Sequence, residues 1–129
     1  MNTERIQSFT DLHAWQEGHR LVLMVYRATQ SFPKEELFGL TIQLRRAIVS
    51  VTSNIAEGFS RRSYREKTQL FSIALGSLTE TQSQLLIARD LGYLSREEFQ
   101  RIAEQAIGTH KLLNAFIRST RSRIPDSRF

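Results

Sequence analysis

The chain has 129 residues, of which 40% are hydrophobic and 24% are charged. This length suits one domain, and the hydrophobic fraction is large enough to offset the entropy lost on folding, which excludes general disorder. Lys and Arg together number 18 against 13 Asp and Glu, a formal net charge of +5. A basic balance favours a polyanionic partner such as nucleic acid, provided that the positive charges gather on one surface.

Several chemistries and locations are excluded by what the sequence lacks. It contains no cysteine, so disulfides, thiolate metal sites and thiol nucleophiles are ruled out. No stretch approaches the roughly 20 apolar residues that cross a bilayer, and the polar start at residues 1–5 lacks the pattern of a signal peptide. We therefore expect a cytoplasmic protein that does not contact a membrane.

The first two predicted helices are separated at Phe32 and Pro33, where proline stops one helix and opens the next. Both helices show apolar residues at alternating steps of three and four. The apolar stripe of the first comprises Leu12, Trp15, His19, Val22, Tyr26 and Thr29. That of the second comprises Leu37, Thr41, Leu44, Ile48, Val51 and Ile55. Gly39 predicts an irregular entry to the second helix.

The third and fourth predicted helices begin behind capping boxes of the form Ser-x-x-Glu, at Ser63 and Ser95. Gly58 and Gly92 mark the ends of the helices before them. The third stripe comprises Phe71, Ala74, Leu78, Thr81, Leu85 and Ala88. The fourth comprises Phe99, Ile102, Ala106, Thr109, Leu113 and Phe116. Residues 119–129 predict a frayed helix end and a mobile basic tail.

Short links make successive helices antiparallel neighbours, and no segment has the alternation of a strand. The sequence therefore predicts an all-α, antiparallel up-down-up-down four-helix bundle that forms one domain over residues 1–129. Apolar residues also extend beyond the four stripes, because every position from Leu21 to Tyr26 is apolar. Two explanations stay open: a generously covered core, or a surface on which copies of the chain associate.

One ion pair is predicted between the second and third helices. If the turn between them centres near Arg62 and Ser63, Arg45 and Glu80 lie level across the helical hairpin. We predict a salt bridge between Glu80 and Arg45 or its neighbour Arg46, which would fix the register of the two helices. A catalytic role for these side chains is the less favoured alternative.

No catalytic or metal-binding pattern is present in the sequence. His13, His19 and His110 form neither an H-E-x-x-H motif nor the Glu-x-x-His pairs of a di-iron bundle. His19 lies on the first apolar stripe and is expected to be a core residue with a hydrogen-bond partner. The glycines outline neither a phosphate-binding loop nor a nucleophile elbow. We expect a protein that is not an enzyme and takes no cofactor, metal or small-molecule substrate.

The predicted topology brings the end of the second helix, the start of the third and the end of the fourth to one end of the bundle. This basic end collects Arg61, Arg62, Arg65, Lys67, Arg118, Arg121 and Arg123. The opposite, acidic end collects Glu35, Glu36, Asp90, Glu97 and Glu98, together with Lys34 and Arg96. Arginine predominates at the basic end, which favours phosphate binding without base recognition. Alternatively, these cations complement helix dipoles and otherwise only interact with solvent.

Six strings of the sequence, taken in order, match the pattern of a bacterial family. They are Asp11-Leu12-His13-Ala14-Trp15-Gln16, Phe32-Pro33-Lys34-Glu35-Glu36, Phe38-Gly39-Leu40-Thr41, Gln43-Leu44-Arg45-Arg46-Ala47, Ser53-Asn54-Ile55-Ala56-Glu57-Gly58 and Ala74-Leu75-Gly76-Ser77-Leu78. In these strings the chain resembles the four-helix-bundle proteins first noted as products of intervening sequences in 23S ribosomal RNA genes. The resemblance implies a bundle that assembles in rings of five. It also lends support to an RNA role, because a distant relative is a basic accessory subunit of a retroelement reverse transcriptase.

Two functional hypotheses follow. The first is a non-enzymatic homo-oligomer, with a pentamer favoured, that binds RNA or DNA at its basic end. The second is a protein-interaction scaffold or accessory subunit that does not contact nucleic acid. Closed symmetry is the usual way in which identical chains cover an apolar face, so the surplus apolar surface supports the homo-oligomer. The candidates for the contact between copies are Leu21, Met24 and Val25.

Overall fold

The computed structural model describes residues 5–125, in which four long helices account for most of the chain. Helix α1 spans His13–Thr29, α2 spans Ile42–Ser60, α3 spans Tyr64–Asp90 and α4 spans Arg96–Arg121. Each helix packs against its neighbour in chain order, and α4 packs back against α1. No strand occurs within residues 5–125. The predicted all-α four-helix bundle is confirmed.

Contacts near the helix ends show that neighbouring helices are antiparallel. Phe71, near the start of α3, packs on Phe116, near the end of α4, with ring centroids 4.8 Å apart. Arg45, near the start of α2, donates a hydrogen bond to Thr29, the last residue of α1. The end of α2 and the starts of α1 and α3 therefore share one end of the bundle with the end of α4.

The core lies along the axis between the four helices. All six positions predicted for the stripe of α3 are buried, and so are the predicted positions of α2 except Leu37. In α4, Phe99 and Phe116 are only partly buried at the edge of the core. The buried hydroxyls of Thr81 and Thr109 donate to backbone carbonyls one turn earlier in their own helices, which satisfies these polar groups without partners from other helices.

The stripe predicted for α1 is wrong over most of its length, because the helix turns a different face inward. The buried face consists largely of small and aliphatic residues, Ala14, Gly18, Leu21, Val25 and Ala28. A Cβ atom on Gly18 would lie 3.1 Å from the methyl group of Thr52, so α1 and α2 approach closely there. His19 is exposed rather than in the core, and its ring stacks on Trp15 at a centroid distance of 4.7 Å.

This rotation of α1 also corrects the residues predicted to contact another copy. Leu21 and Val25 are fully buried inside the bundle and cannot reach a second molecule. Met24 keeps part of its side chain at the surface. The apolar run is therefore divided: part of it fills the core, whereas Leu23 and Tyr26 are exposed.

The connections between helices are shortest at the basic end. Only residues 61–63 separate α2 from α3. The hydroxyl of Ser63 accepts a hydrogen bond from the Glu66 backbone and donates one to the Glu66 carboxylate, so only half of the predicted capping box is formed. At the acidic end, a 3-10 turn at Lys34–Glu36 and a π-helical turn at Leu37–Thr41 precede α2. Gly39 leaves helical geometry there, which confirms the irregular entry.

The remaining helix boundaries follow from local chemistry. Gly92 has a φ of 78°, a left-handed conformation that glycine adopts without strain and that ends α3. Ser95 and Glu98 form the predicted capping box at the start of α4. Helix α4 extends to Arg121, further than predicted, and Thr120 in its last turn is buried, with its hydroxyl donating to the backbone carbonyl of Phe116. Within the described part of the chain, no helix combines the length and hydrophobicity needed to cross a membrane.

Candidate nucleic-acid interface

The basic residues predicted to share one end of the bundle lie on segments that meet there. The guanidinium group of Arg123 lies over the ring of Tyr64, 5.8 Å from its centroid. Tyr64 is the first residue of α3, and Arg123 follows the last turn of α4. Because the link between α2 and α3 occupies the same end, this contact places cations from three helices on one surface.

Most of these cations are open to solvent. The exposed ones are Arg61, Arg62, Arg65, Arg118, Arg121 and Arg123. Arg61 pairs with Glu57 one turn earlier, with 2.8 Å between Nη2 and Oε1. An exposed pair of this kind contributes at most about 1 kcal/mol, so a phosphate group could replace the carboxylate. Within residues 5–125, none of the other five forms an ion pair with a carboxylate.

Lys67, by contrast, is part of the structure of the bundle. It is half-buried, and its ammonium group donates to the backbone carbonyl of Phe59 at 2.7 Å. The same ammonium lies 5.4 Å from the centroid of the Phe59 ring. Carbonyls in the last turn of a helix have no partner within the helix, so Lys67 caps the C-terminus of α2. Its charge is therefore less available to a ligand than that of the arginines.

The start of α1 adds residues to the basic end that the sequence interpretation did not assign to it. Arg5 and His13 line an open cleft there together with Asp11. The carboxylate of Asp11 accepts hydrogen bonds from the backbone of Gln7 and Ser8, which occupies part of its accepting capacity. The predicted topology could have placed these residues there, because the first helix of an up-down-up-down bundle begins at the end of the bundle where the second helix ends.

The string Asn54 to Gly58, whose role the sequence did not reveal, holds α2 against α3 at the basic end. Ile55 is fully buried in the core. A Cβ atom on Gly58 would lie 2.6 Å from Cε1 of Phe71, so only glycine allows this approach without a shift. Glu57 faces outward and pairs with Arg61. The string therefore positions the cations next to it.

At the acidic end, two carboxylates accept hydrogen bonds from the backbone and from a tyrosine hydroxyl. One oxygen of Glu36 accepts a hydrogen bond from the Leu40 backbone at 3.1 Å, and the other accepts one from the Tyr93 hydroxyl at 2.9 Å. The hydrogen bond to Glu36 raises the pKa of Tyr93 above its ordinary value, and burial and the charges of Glu36 and Glu35 act in the same direction. Glu98 accepts from the Ser95 backbone.

The other charges predicted for the acidic end also lie there, on its surface. Glu35, Glu97 and Asp90 are exposed. Asp90 pairs with Arg89, with 2.8 Å between Oδ1 and Nε. The cations interspersed with these carboxylates, Lys34 and Arg96, are also exposed.

The ion pair predicted between Glu80 and Arg45 is not formed, because the side chain of Arg45 points toward α1 rather than α3. Its Nε donates to the Thr29 hydroxyl at 2.8 Å, and its guanidinium group lies 4.7 Å from the ring centroid of Tyr26. Both partners belong to α1, whereas Glu80 belongs to α3. Arg46 is exposed, and within the described residues it makes no ion pair with Glu80 either.

The register on which that prediction relied is nevertheless close to the observed one. Ser50 and Ser77 share a hydrogen bond of 3.0 Å across α2 and α3. Glu80 accepts instead from Gln84 of its own helix, at 3.1 Å. Two residues can therefore be level along a hairpin without facing each other around the helix axes.

The described residues contain no cluster of three or more His, Asp or Glu that could hold a metal ion. His13 and His19 are exposed and His110 is half-buried.

Comparison with known proteins identifies the family. A family model described as 23S rRNA-intervening sequence protein matches residues 10–115. A solved structure of a protein with unknown function, from the S23 ribosomal protein family of Bacteroides thetaiotaomicron, is 22% identical and has a TM-score of 0.74. That match covers 81% of this chain and 95% of the other, and it shows the shared fold. No curated protein matches. Because the family model extends from the start of α1 into the second half of α4, the chain belongs to the 23S rRNA-intervening sequence protein family.

Proposed function

We propose that this protein is a non-enzymatic, cytoplasmic nucleic-acid-binding protein that uses its basic end, with RNA favoured over DNA. One observation carries the proposal. Six exposed arginines from three segments of the chain converge on one end of the bundle, and five of them form no ion pair within the described residues. Guanidinium groups bind phosphate oxygens in a bidentate way, so such a surface suits a polyphosphate backbone.

The packing beneath these arginines supports a fixed spacing between them. Lys67 ties the last carbonyls of α2 to the start of α3, and Gly58 lets the two helices approach closely. The contact between Arg123 and Tyr64 adds the end of α4 to the same surface. A surface of fixed cations would follow the backbone of a strand without reading its bases.

RNA binding at this end is tested by fluorescence anisotropy with a labelled single-stranded RNA over a salt series. Replacing Arg61, Arg62 and Arg65 together with serine should weaken binding about ten-fold or more. Each lost phosphate contact lowers the salt slope by about 0.7 for a single strand, so the triple change should lower it by roughly two. Helicity and particle mass should stay the same.

A matched control separates a local site from overall charge. Replacing Arg27, Arg96 and Arg101 with serine removes the same charge from exposed positions nearer the acidic end. This variant should bind RNA as the unchanged protein does. If both triple variants lost the same affinity, net charge alone would explain binding, and if neither lost affinity the RNA function would be refuted.

We propose further that the protein assembles as a homo-oligomer, with a pentamer favoured and with no membrane or small-molecule partner. Apolar side chains on the bundle's sides support this, since Leu23, Ile73 and Ile107 are each at least 40% exposed. Light scattering at micromolar concentration should give several times the mass of one chain. A single-chain mass would contradict it.

A scaffold that recruits another protein is the second candidate. A groove between α3 and α4 favours it, because Leu85, Leu86 and Ile107 line it with mainly apolar surface. A protein contact of this kind should depend little on salt, in contrast to phosphate binding. The salt series described for RNA therefore distinguishes the two candidates.

A further inference from the structure

Tyr64 presents an aromatic ring to solvent among the arginines of the basic end. It is the first residue of α3 and is 37% exposed. The backbone beneath the ring is fixed, because the Thr68 hydroxyl donates to the Tyr64 carbonyl at 2.8 Å and the Ser63 hydroxyl caps the start of the helix. The ring therefore extends into solvent from a firm support.

The charges next to this ring are mainly positive. Arg62 and Arg65 lie within two residues of Tyr64 in the chain, and both are exposed. The guanidinium group of Arg123 lies over the ring itself. An aromatic face between exposed cations is the combination that binds single-stranded nucleic acid, in which the cations follow the phosphates and the ring stacks with a base.

The carboxylates of the same end do not cancel these cations. Glu57 and Glu66 are the acidic residues on the last turn of α2 and the first turn of α3. Glu57 is paired with Arg61, and Glu66 accepts a hydrogen bond from the Ser63 hydroxyl. Asp11, before α1, accepts two hydrogen bonds from the backbone. The arginines beside Tyr64 thus keep their charge available.

The cation over the ring is held loosely. The guanidinium group of Arg123 lies 5.8 Å from the centroid of Tyr64, whereas that of Arg45 lies 4.7 Å from the centroid of Tyr26. A cation–π contact at an exposed site is weak, so another flat group can replace it. The Arg123 amide donates to the Thr120 carbonyl, which keeps this cation at the basic end when its side chain leaves the ring.

We infer that the Tyr64 ring stacks with one unpaired base of the bound nucleic acid, which makes the basic end a site for single strands. The inference rests on the proposed function. Every base has a π face, so this contact selects for unpaired bases without selecting a sequence. Bases inside a duplex are stacked on one another and do not reach the ring. The displaced Arg123 binds the phosphate beside the stacked base.

Three labelled probes test the contact by fluorescence anisotropy: a single-stranded RNA, its duplex, and a strand of the same length built from abasic units. The unchanged protein should bind the RNA strand about five-fold or more tightly than the abasic strand, which keeps the phosphates and lacks the bases. Tyr64→Leu should lose that advantage and bind the duplex and the abasic strand as before. Its salt slope should be unchanged, because stacking releases no counterions.

Tyr26→Leu is the matched control, since Tyr26 is 38% exposed and also lies under a guanidinium group, but near the acidic end. It should bind all three probes normally, and so should Tyr64→Phe, which keeps the ring. The inference is overturned if Tyr64→Leu binds the RNA strand as tightly as the unchanged protein, or weakens all three probes alike. Either result leaves the proposed function standing, whereas an unchanged protein that binds no RNA refutes both.

Discussion

The two ends of the bundle use their charged side chains in different ways. At the acidic end, Glu36 and Glu98 accept backbone hydrogen bonds that fix the starts of helices. At the basic end, Lys67 is the cation that binds backbone carbonyls, and the arginines extend into solvent. Hydrogen-bond partners therefore distinguish charges that the fold requires from charges that remain available to a ligand.

The connections between helices also differ between the two ends, both in length and in what holds them in place. The basic end joins α2 to α3 through residues 61–63, and close packing of Gly58 on Phe71 holds the helices together. The acidic end has longer connections, and the carboxylate of Glu36 links two of them. The basic end is thus held by close helix packing as well as by the Lys67 cap, whereas the acidic end is held mainly by hydrogen bonds to a carboxylate.

The largest effect on stability is expected at Gly58, because the basic end depends on close packing there. In Gly58→Ala the new methyl group would lie 2.6 Å from the ring of Phe71. Overpacking of this kind costs about 1 to 3 kcal/mol. The free energy of unfolding, measured with urea, should fall by that amount.

Gly76→Ala is the control for that substitution. An added Cβ atom at Gly76, which lies inside α3, would meet no atom within 4 Å beyond the adjacent backbone of its own helix. Alanine in a helix is favoured over glycine by about 1 kcal/mol, so this variant should be slightly more stable. Equal loss of stability in both variants would mean that close approach at the basic end is unimportant.

A somewhat smaller effect is expected at the acidic end, at Glu36. Glu36→Ala removes the acceptor of the Leu40 backbone, and losing such a cap costs about 0.5 to 2 kcal/mol. The neighbouring exposed Glu35 provides the control, since Glu35→Ala should change stability by less than about 0.5 kcal/mol. If the two variants were equally stable, the capping role of Glu36 would be disproved.

Glu36→Ala should also change the titration of Tyr93 at high pH. Because Glu36 raises the pKa of Tyr93, the folded state holds this proton more tightly than the unfolded state. The resulting stability is present below the ordinary tyrosine range and is lost as pH rises through the raised pKa. In Glu36→Ala the pKa of Tyr93 should move down toward its ordinary value, which an alkaline titration of tyrosinate absorbance would detect.

The smallest effect on stability is expected at Lys67. Substitutions there and at Arg65 test which cations of the basic end serve the fold and which serve RNA binding. Lys67→Met removes the ammonium group that caps α2, at a cost of about 0.3 to 1 kcal/mol. RNA affinity should change little. Arg65→Met, at an exposed neighbour, should do the reverse, with stability retained and affinity lowered. A larger loss of affinity from Lys67→Met than from Arg65→Met would contradict this division.

The sequence predicts helices well where a helix has one apolar stripe, and poorly where it has two. In α3 all six predicted positions are buried. In α1 a stripe of large residues through Trp15 and Tyr26 runs beside a stripe of small and aliphatic residues through Gly18. Apolar spacing cannot choose between them. The close approach of Gly18 to Thr52 favours the second stripe, and this depends on α2, which the spacing of α1 does not describe.

At the candidate site, too, the sequence predicts some features and not others. Topology alone predicts that the arginines gather at one end, because that depends only on where each helix begins and ends. The directions of individual side chains are not predictable in this way. Arg45 turns toward Thr29 and Tyr26 rather than Glu80, and Lys67 turns toward Phe59. In each case the cation meets both an oxygen and an aromatic face whose position depends on the folded chain.

The stacked rings at the start of α1 give the basic end an optical property that the acidic end lacks. Trp15 is the one tryptophan of the chain, and it lies between the rings of Phe9 and His19, at centroid distances of 5.3 and 4.7 Å. Indole fluorescence responds to neighbouring charge and to contact with imidazole. A polyanion that settles near the start of α1 should therefore change the emission of Trp15, whereas a ligand at the acidic end should leave it unaltered. Trp15 is therefore an intrinsic fluorescent probe of ligand binding at the basic end.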